Sequence, residues 1–323
     1  MINRTSKLAW AASSLALVAT AFADIKVNEN ISINGYAVGA LTSTNVDGGE
    51  NIDTYFESKG SPAIVNADAV KFGVLGTAGQ LSAYGSILYL PGASNEAGLL
   101  DAYVTYDTGT GVKITGGKFL SYFGFEAFDA VNFPALSYGS TIFAIPAYHT
   151  GAKIDYSGDT FSVGIAAVDS IFSGPRGFFE GDREYGDDVG VEAMFSYTGV
   201  QNLTVFAGVA VEDTYGAADD LFLFDLWLSY AVSEKLTLAA EYDTQTDVMN
   251  GWLGQLSYKF SDKFSTIFRI SGVEWDGGGS DTKYTVAPTY AINANFALRA
   301  EFSIGEGDSG DYTFAGGQIV FKF

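Results

Sequence analysis

Phe296-Ala297-Leu298-Arg299-Ala300-Glu301-Phe302-Ser303-Ile304 alternates apolar and polar side chains from Leu298 on. Neighbours along a strand point to opposite sides of a sheet. Phe296, Leu298, Ala300, Phe302 and Ile304 therefore share one face, while Asn295, Arg299, Glu301 and Ser303 share the other. The same division recurs upstream, where Leu236, Leu238, Ala240 and Tyr242 alternate with Thr237, Glu241 and Asp243, and Phe264, Phe268 and Ile270 with Ser265, Arg269 and Ser271. Stacked soluble sheets give a similar pattern strand by strand, with the apolar face turned inward. Which way the apolar face points is decided by the rest of the chain.

About sixteen such segments run from 31–43 to 310–323, most near the ~9–11 residues that a tilted strand needs to cross a bilayer. Tight turns at Ala78-Gly79, Thr108-Gly109-Thr110, Ser157-Gly158, Gly199-Val200-Gln201, Ser233-Glu234, Ser261-Asp262 and Asn293 alternate with other links, several of them much longer, at 44–65, 91–96, 120–146, 171–186, 214–218, 247–248, 276–279 and 306–309. Short periplasmic turns and longer outer loops are the habit of outer-membrane barrels. Tyr106, Tyr156, Tyr197, Tyr230, Tyr258 and Tyr290 each precede a tight turn, and Phe321 and Phe323 close the last segment. Those rings fall at one level, where an apolar ring with a polar tip suits the boundary between hydrocarbon and water. The expected fold is all-β, a transmembrane antiparallel barrel of about sixteen strands. Gly316-Gly317 shifts the apolar parity between Phe314 and Ile319, which predicts a bulge there.

Arg4 and Lys7 precede an apolar run from Leu8 to Phe22, and Ala21-Phe22-Ala23 places small residues where a signal peptidase reads. Residues 1–23 are expected to be a cleaved leader and 24–323 the barrel. The run is too short for a spanning helix, and no later segment approaches the roughly 18 apolar residues one needs. Losing the leader removes two positive charges and none negative from a chain already at −21. So acidic a chain argues against nucleic acid as a partner. It has no Cys, so disulfides hold nothing. A disordered acidic chain would be poor in aromatics, whereas this one has 25 Phe and 19 Tyr.

One link is unlike the others. From Leu120 to Pro146 it carries Phe123, Phe125, Phe128, Phe133 and Phe143 together with Glu126 and Asp129. So apolar a loop is not simply a solvated excursion. Gly117-Lys118-Phe119, Gly124-Phe125-Glu126, Asn132-Phe133-Pro134 and Ala144-Ile145-Pro146, then His149-Thr150-Gly151, resemble the central segment of the OmpL-like β-barrel porin family. The match covers about a seventh of the chain and rests on order and spacing. In architecture the chain looks like a 16-stranded general diffusion porin. That resemblance implies an outer-membrane pore, a loop after strand five folded into the barrel, and a homotrimer. Where the family pattern carries an Arg, this chain reads Ser137-Tyr138-Gly139-Ser140, so no basic group is expected on the loop itself.

Facing and depth then give a set of pore-lining charges. Lys71, Arg269 and Arg299 form a basic arc through the seam, and Glu192, Asp225 and Glu241 an acidic one; Glu126, Asp129 and Lys118 are counted with them at the constriction. Opposed arcs would set a transverse field across the narrowest section, while pairing between neighbours would cancel it. The excess of carboxylates predicts modest cation preference for a passive path open to small hydrophilic solutes and ions. Much of the negative charge sits on outer loops, at Asp47, Glu50, Asp53 and Glu57 and at Glu180, Asp182, Glu184, Asp187 and Asp188. These could hold Ca²⁺, but none has EF-hand spacing, and a solvated acidic surface is the plainer reading.

An enzyme reading would rest on His149, the only histidine, and none is expected. Two alternatives to a general pore remain: a saccharide channel using Phe172, Phe178, Phe179, Arg176 and Arg183, or a sealed barrel serving as a surface scaffold or adhesin. Expected partners are outer-membrane lipid, diffusing solutes and, through Phe323, the barrel-assembly machinery.

Overall fold

The computed structural model describes residues 24–46, 49–53, 69–90, 97–172, 189–213, 220–308 and 310–323. The leader, and the acidic residues Asp47, Glu57, Glu180, Asp182, Glu184, Asp187 and Asp188, lie outside them, as do the side chains of Glu50 and Asp53.

Sixteen strands form the wall: β1 (Ile31–Val46), β2 (Ala69–Ala78), β3 (Leu81–Tyr89), β4 (Ala97–Asp107), β5 (Val112–Leu120), β6 (Tyr148–Ser157), β7 (Phe161–Val168) and β8 (Gly190–Tyr197). They continue with β9 (Leu203–Glu212), β10 (Leu221–Ala231), β11 (Leu236–Gln245), β12 (Met249–Lys259), β13 (Phe264–Trp275), β14 (Ser280–Ala291), β15 (Phe296–Gly307) and β16 (Tyr312–Lys322). Each pairs antiparallel with its sequence neighbours, and β16 returns to β1 from Tyr312↔Val46 to Lys322↔Tyr36, closing the barrel. Closure leaves no free edge, as backbone in hydrocarbon requires. Beyond the seam, Gly35 and Phe323 exchange both backbone hydrogen bonds, at 2.9 and 3.0 Å.

Burial is inverted relative to a soluble sheet. Leu298, Phe302 and Ile304 are exposed on the outer face, while Arg299, Glu301 and Ser303 between them are buried. Phe268 and Ile270 likewise flank the buried Arg269. The outer apolar belt and polar interior are those of a membrane barrel. Near the tight turns, Tyr106, Tyr156, Tyr197, Tyr230, Tyr290 and Phe321 are all exposed. Register levels them, since Tyr197 pairs with Phe161, Phe264 with Tyr290 and Phe296 with Phe321.

Two local expectations are corrected. β1 does not stop near 43. It runs to Val46, because its outer half is paired by β16 on one side and on the other by a short strand, Gly49–Asp53, that takes the edge β2 leaves beyond Val38. No bulge interrupts Gly316-Gly317, whose register is continuous with both neighbours. Phe314 instead points inward and is buried against Leu136, and Gly316 leaves room for that Leu136 side chain, to which a Cβ would come within 2.7 Å. The bulge lies elsewhere, between β3 and β4, where Ser86 pairs with Asp101 and Ile87 with Leu99. Leu100 is the extra residue, and both it and Asp101 are buried inside. Apolar residues inside the barrel misled the parity argument, because they serve the inserted loop rather than lipid.

Candidate functional site

The segment between β5 and β6 lies within the barrel. It crosses the lumen and ends in a 3₁₀ turn, Ser140–Ala144, packed against β11 to β13. What holds it there is a ring of inward side chains from around most of the wall.

At the start of the segment, Ser121 donates to Glu192 of β8 at 2.7 Å. The Gly124 amide donates to Asp225 of β10 at 2.9 Å, and the Phe125 amide to Glu241 of β11. Gly124 has φ +99, a value that few residues other than glycine adopt. Glu126 then pairs with Arg269 of β13, and Asp129 with Lys71 of β2 at 3.0 Å. Lys71 also meets Asp101 at 3.1 Å. Arg299 of β15 donates to the carbonyls of Ala130 and Val131. Glu301 accepts the amides of Leu136 and Ser137 at 2.6 and 2.9 Å, and Lys283 of β14 donates to the Tyr138 carbonyl at 2.9 Å. The Ser140 amide donates to Ser271 at 3.0 Å.

Apolar packing fills the space between these bonds. Phe133, Ala135 and Tyr138 pack with Ile267 and Ala287; Phe125 packs with Ala239 and Leu253, its ring edge-on to Trp227. Phe133 and Leu136 are fully buried, and complete burial of such a side chain contributes roughly 1.5–3 kcal/mol. The loop is thus docked by a small apolar core and by charged hydrogen bonds. Breaking one buried pair by removing a partner typically costs ~3–5 kcal/mol.

The charges read from sequence are therefore brought together, in a different relation from two facing arcs. Lys71, Arg269 and Arg299 lie on the seam side, and Glu192, Asp225 and Glu241 on the other, all less than a tenth exposed. Glu126 and Asp129 do not join the acidic arc. They sit in contact with two of the bases, so no gap separates those opposite charges. Lys118 is not in this set. Thr115 and Phe119 are buried inside while Ile114 and Leu120 are exposed, and Lys118 shares the latter face, its amine 2.9 Å from the Leu99 carbonyl. A single-residue step places it opposite Phe119.

Sequence reasoning missed Lys283 and Asp101. Lys283 sits on the parity of Thr285 and Ala287, so alternation alone could have found it. Asp101 was concealed by the bulge at Leu100. His149 is buried with its Nε2 3.4 Å from Glu192, and the hydroxyl of Ser121 donates to that glutamate rather than to the imidazole. A serine hydrolase needs the imidazole between hydroxyl and acid. Phe172 packs against the cluster containing Ile171, and the remaining residues of the saccharide reading, Arg176, Phe178, Phe179 and Arg183, lie outside the described residues.

The family model described as beta-barrel porin-2, OmpL-like (BBP2), matches residues 66–320. A comparison with curated proteins finds no match. Among solved structures, OprB of Pseudomonas putida superposes with a TM-score of 0.70 at 10% identity, covering 91% of this chain and 94% of that one. OmpF of Salmonella typhi, in complex with daunomycin, gives 0.69 at 14% identity over 93% and 100%. An anion-selective porin from Comamonas acidovorans gives 0.68 at 12% over 91% and 99%. At such identities the likeness is one of fold.

Proposed function

The chain belongs to the OmpL-like β-barrel porin family of the bacterial outer membrane, and from that premise we propose that it passes small hydrophilic solutes and ions by diffusion, with modest cation preference. The observation that supports a narrow path is the docking of residues 121–147 across the lumen by bonds to β2, β8, β10, β11 and β13 to β15. Cation preference follows from the balance of the lining. Lys71 and Arg269 have loop carboxylates beside them, whereas, with no ion bound, Asp225, Glu241 and Asp243 face no Lys or Arg within salt-bridge distance among the described residues.

Reversal potential in a planar bilayer under a KCl gradient tests the reading. A cation-favouring potential with stable open channels supports it. An anion-favouring potential would overturn the selectivity, and absence of conductance from folded barrel would favour the sealed scaffold.

Two further proposals concern assembly. One solved relative, OmpT of Vibrio cholerae, is described in a trimer form, and a homotrimer is proposed here, to be tested by cross-linking in detergent. Residues 1–23 are proposed to be removed on export and Phe323 to be read by the assembly machinery. Amino-terminal sequencing of the membrane form, and folding yield of a variant lacking Phe323, check these. A channel rather than an enzyme is the reading the family supports.

A further inference from the structure

We propose that Asp225, Glu241 and Asp243 bind one hard divalent cation of the Ca²⁺ class on the inner wall between β10 and β11. Asp225 and Asp243 are direct cross-strand partners, and Glu241 lies two residues from Asp243 on the same face. One carboxylate oxygen from each lies within 4.8 Å of the others. Oxygens in one Ca²⁺ shell, each about 2.4 Å from the ion, lie no more than ~4.8 Å apart.

The second observation concerns what these oxygens lack. Asp225 and Asp243 are wholly buried and Glu241 is 4% exposed. The loop amides of Gly124 and Phe125 each satisfy one oxygen, of Asp225 and Glu241. Among the described residues, Asp225 Oδ1, Glu241 Oε2 and both oxygens of Asp243 have no partner in hydrogen-bonding geometry, although Thr141 approaches Glu241, and Asp225 and Asp243 face each other. The facing bases are engaged elsewhere: Arg269 with Glu126 and the Ser137 carbonyl, Lys283 with Ser137 and the Tyr138 carbonyl. Other buried acids of the lumen differ. Glu301 accepts three bonds from Leu136 and Ser137, and Glu212 accepts from Ser170 and the Ile171 amide. Three carboxylates crowded out of water need a positive partner or protons. Oxygen ligands of full negative charge fit a hard cation. The ion would fix the wall at the point where Gly124 and Phe125 dock.

The test is equilibrium dialysis with Ca²⁺ alone on the whole chain, refolded in detergent and stripped with a chelator, comparing wild type with Asp243→Asn. Folding of both is checked by heat-modifiable gel mobility. Wild type should hold one more Ca²⁺ per chain than the variant. Equal stoichiometry would overturn the site and mean that protons neutralise the cluster. Should Asp243→Asn not fold, Tb³⁺ provides a second route, since Trp227 pairs in register with Glu241. Trp-excited Tb³⁺ emission that is lost in Trp227→Phe and quenched by Ca²⁺ supports the site; emission unchanged by that substitution overturns it.

Discussion

On the seam side of the lumen, Lys71, Arg269, Lys283 and Arg299 each end on acceptors of the inserted loop, either carboxylates or carbonyls. On the opposite side Glu192, Asp225 and Glu241 reach the same loop through hydroxyl and amide donors. The chemistry of the loop explains the difference. Within 121–147 it has two carboxylates and no Lys or Arg, while its unpaired backbone offers carbonyls and amides throughout. A base can take either kind of acceptor, but only a carboxylate cancels its charge, as at Lys71 and Arg269. An acid here takes only neutral donors, which at Asp225 and Glu241 satisfy one oxygen and leave the charge. Docking therefore neutralises Lys71 and Arg269 on the seam side, and the β10–β11 side keeps a surplus.

Excising residues 123–144 in favour of a short Gly-Ser linker should have the largest effect. It removes the partners of both sides at once and opens the lumen, so single-channel conductance should rise severalfold. An unchanged conductance would mean that ions do not pass through the section the loop fills.

Arg269→Met comes next and acts on the seam side alone. It leaves Glu126 buried without its base, at a cost to docking of about 3–5 kcal/mol. Limited proteolysis should then cleave within 121–147, and channel recordings should become noisier. Protection equal to wild type would mean that the apolar core, with Phe133 and Leu136, suffices to dock the loop.

Asp225→Asn probes the other side and should move stability the opposite way. The amide oxygen still accepts from Gly124, while one of three crowded charges disappears. In calcium-free buffer a gain of up to ~1 kcal/mol in thermal unfolding is expected, with the KCl reversal potential becoming less cation-favouring. Destabilisation in that buffer would show that the surplus on this side is already compensated.

Much of the wall was legible from sequence because lipid imposes a strict rule. Strand after strand must place apolar residues outward, and Leu298, Phe302 and Ile304 obey it as plainly as any. The interior has no such rule, since it can face water or loop. Phe314 and Leu100 are apolar and point inward because the loop segment around Leu136 and Val131 packs on that wall. Reading them by the lipid rule produced a bulge at Gly316-Gly317 that does not exist and missed the one at Leu100. The docking partners were visible as charges of correct facing, but which loop group each one meets depends on a path through the lumen that no local pattern encodes.

Lys118 should have the smallest effect and tests the boundary of the comparison itself. Although counted from sequence with the bases at the constriction, it shares the outward face of Ile114 and Leu120. Its amine donates to the Leu99 carbonyl beside the bulge. Lys118→Met should leave the KCl reversal potential where it is, whereas Lys71→Met, which removes a base from inside, should shift it toward cations. Equal shifts in the two variants would place Lys118 in the conduction path and make the outer end of β5 part of the lumen's charge balance.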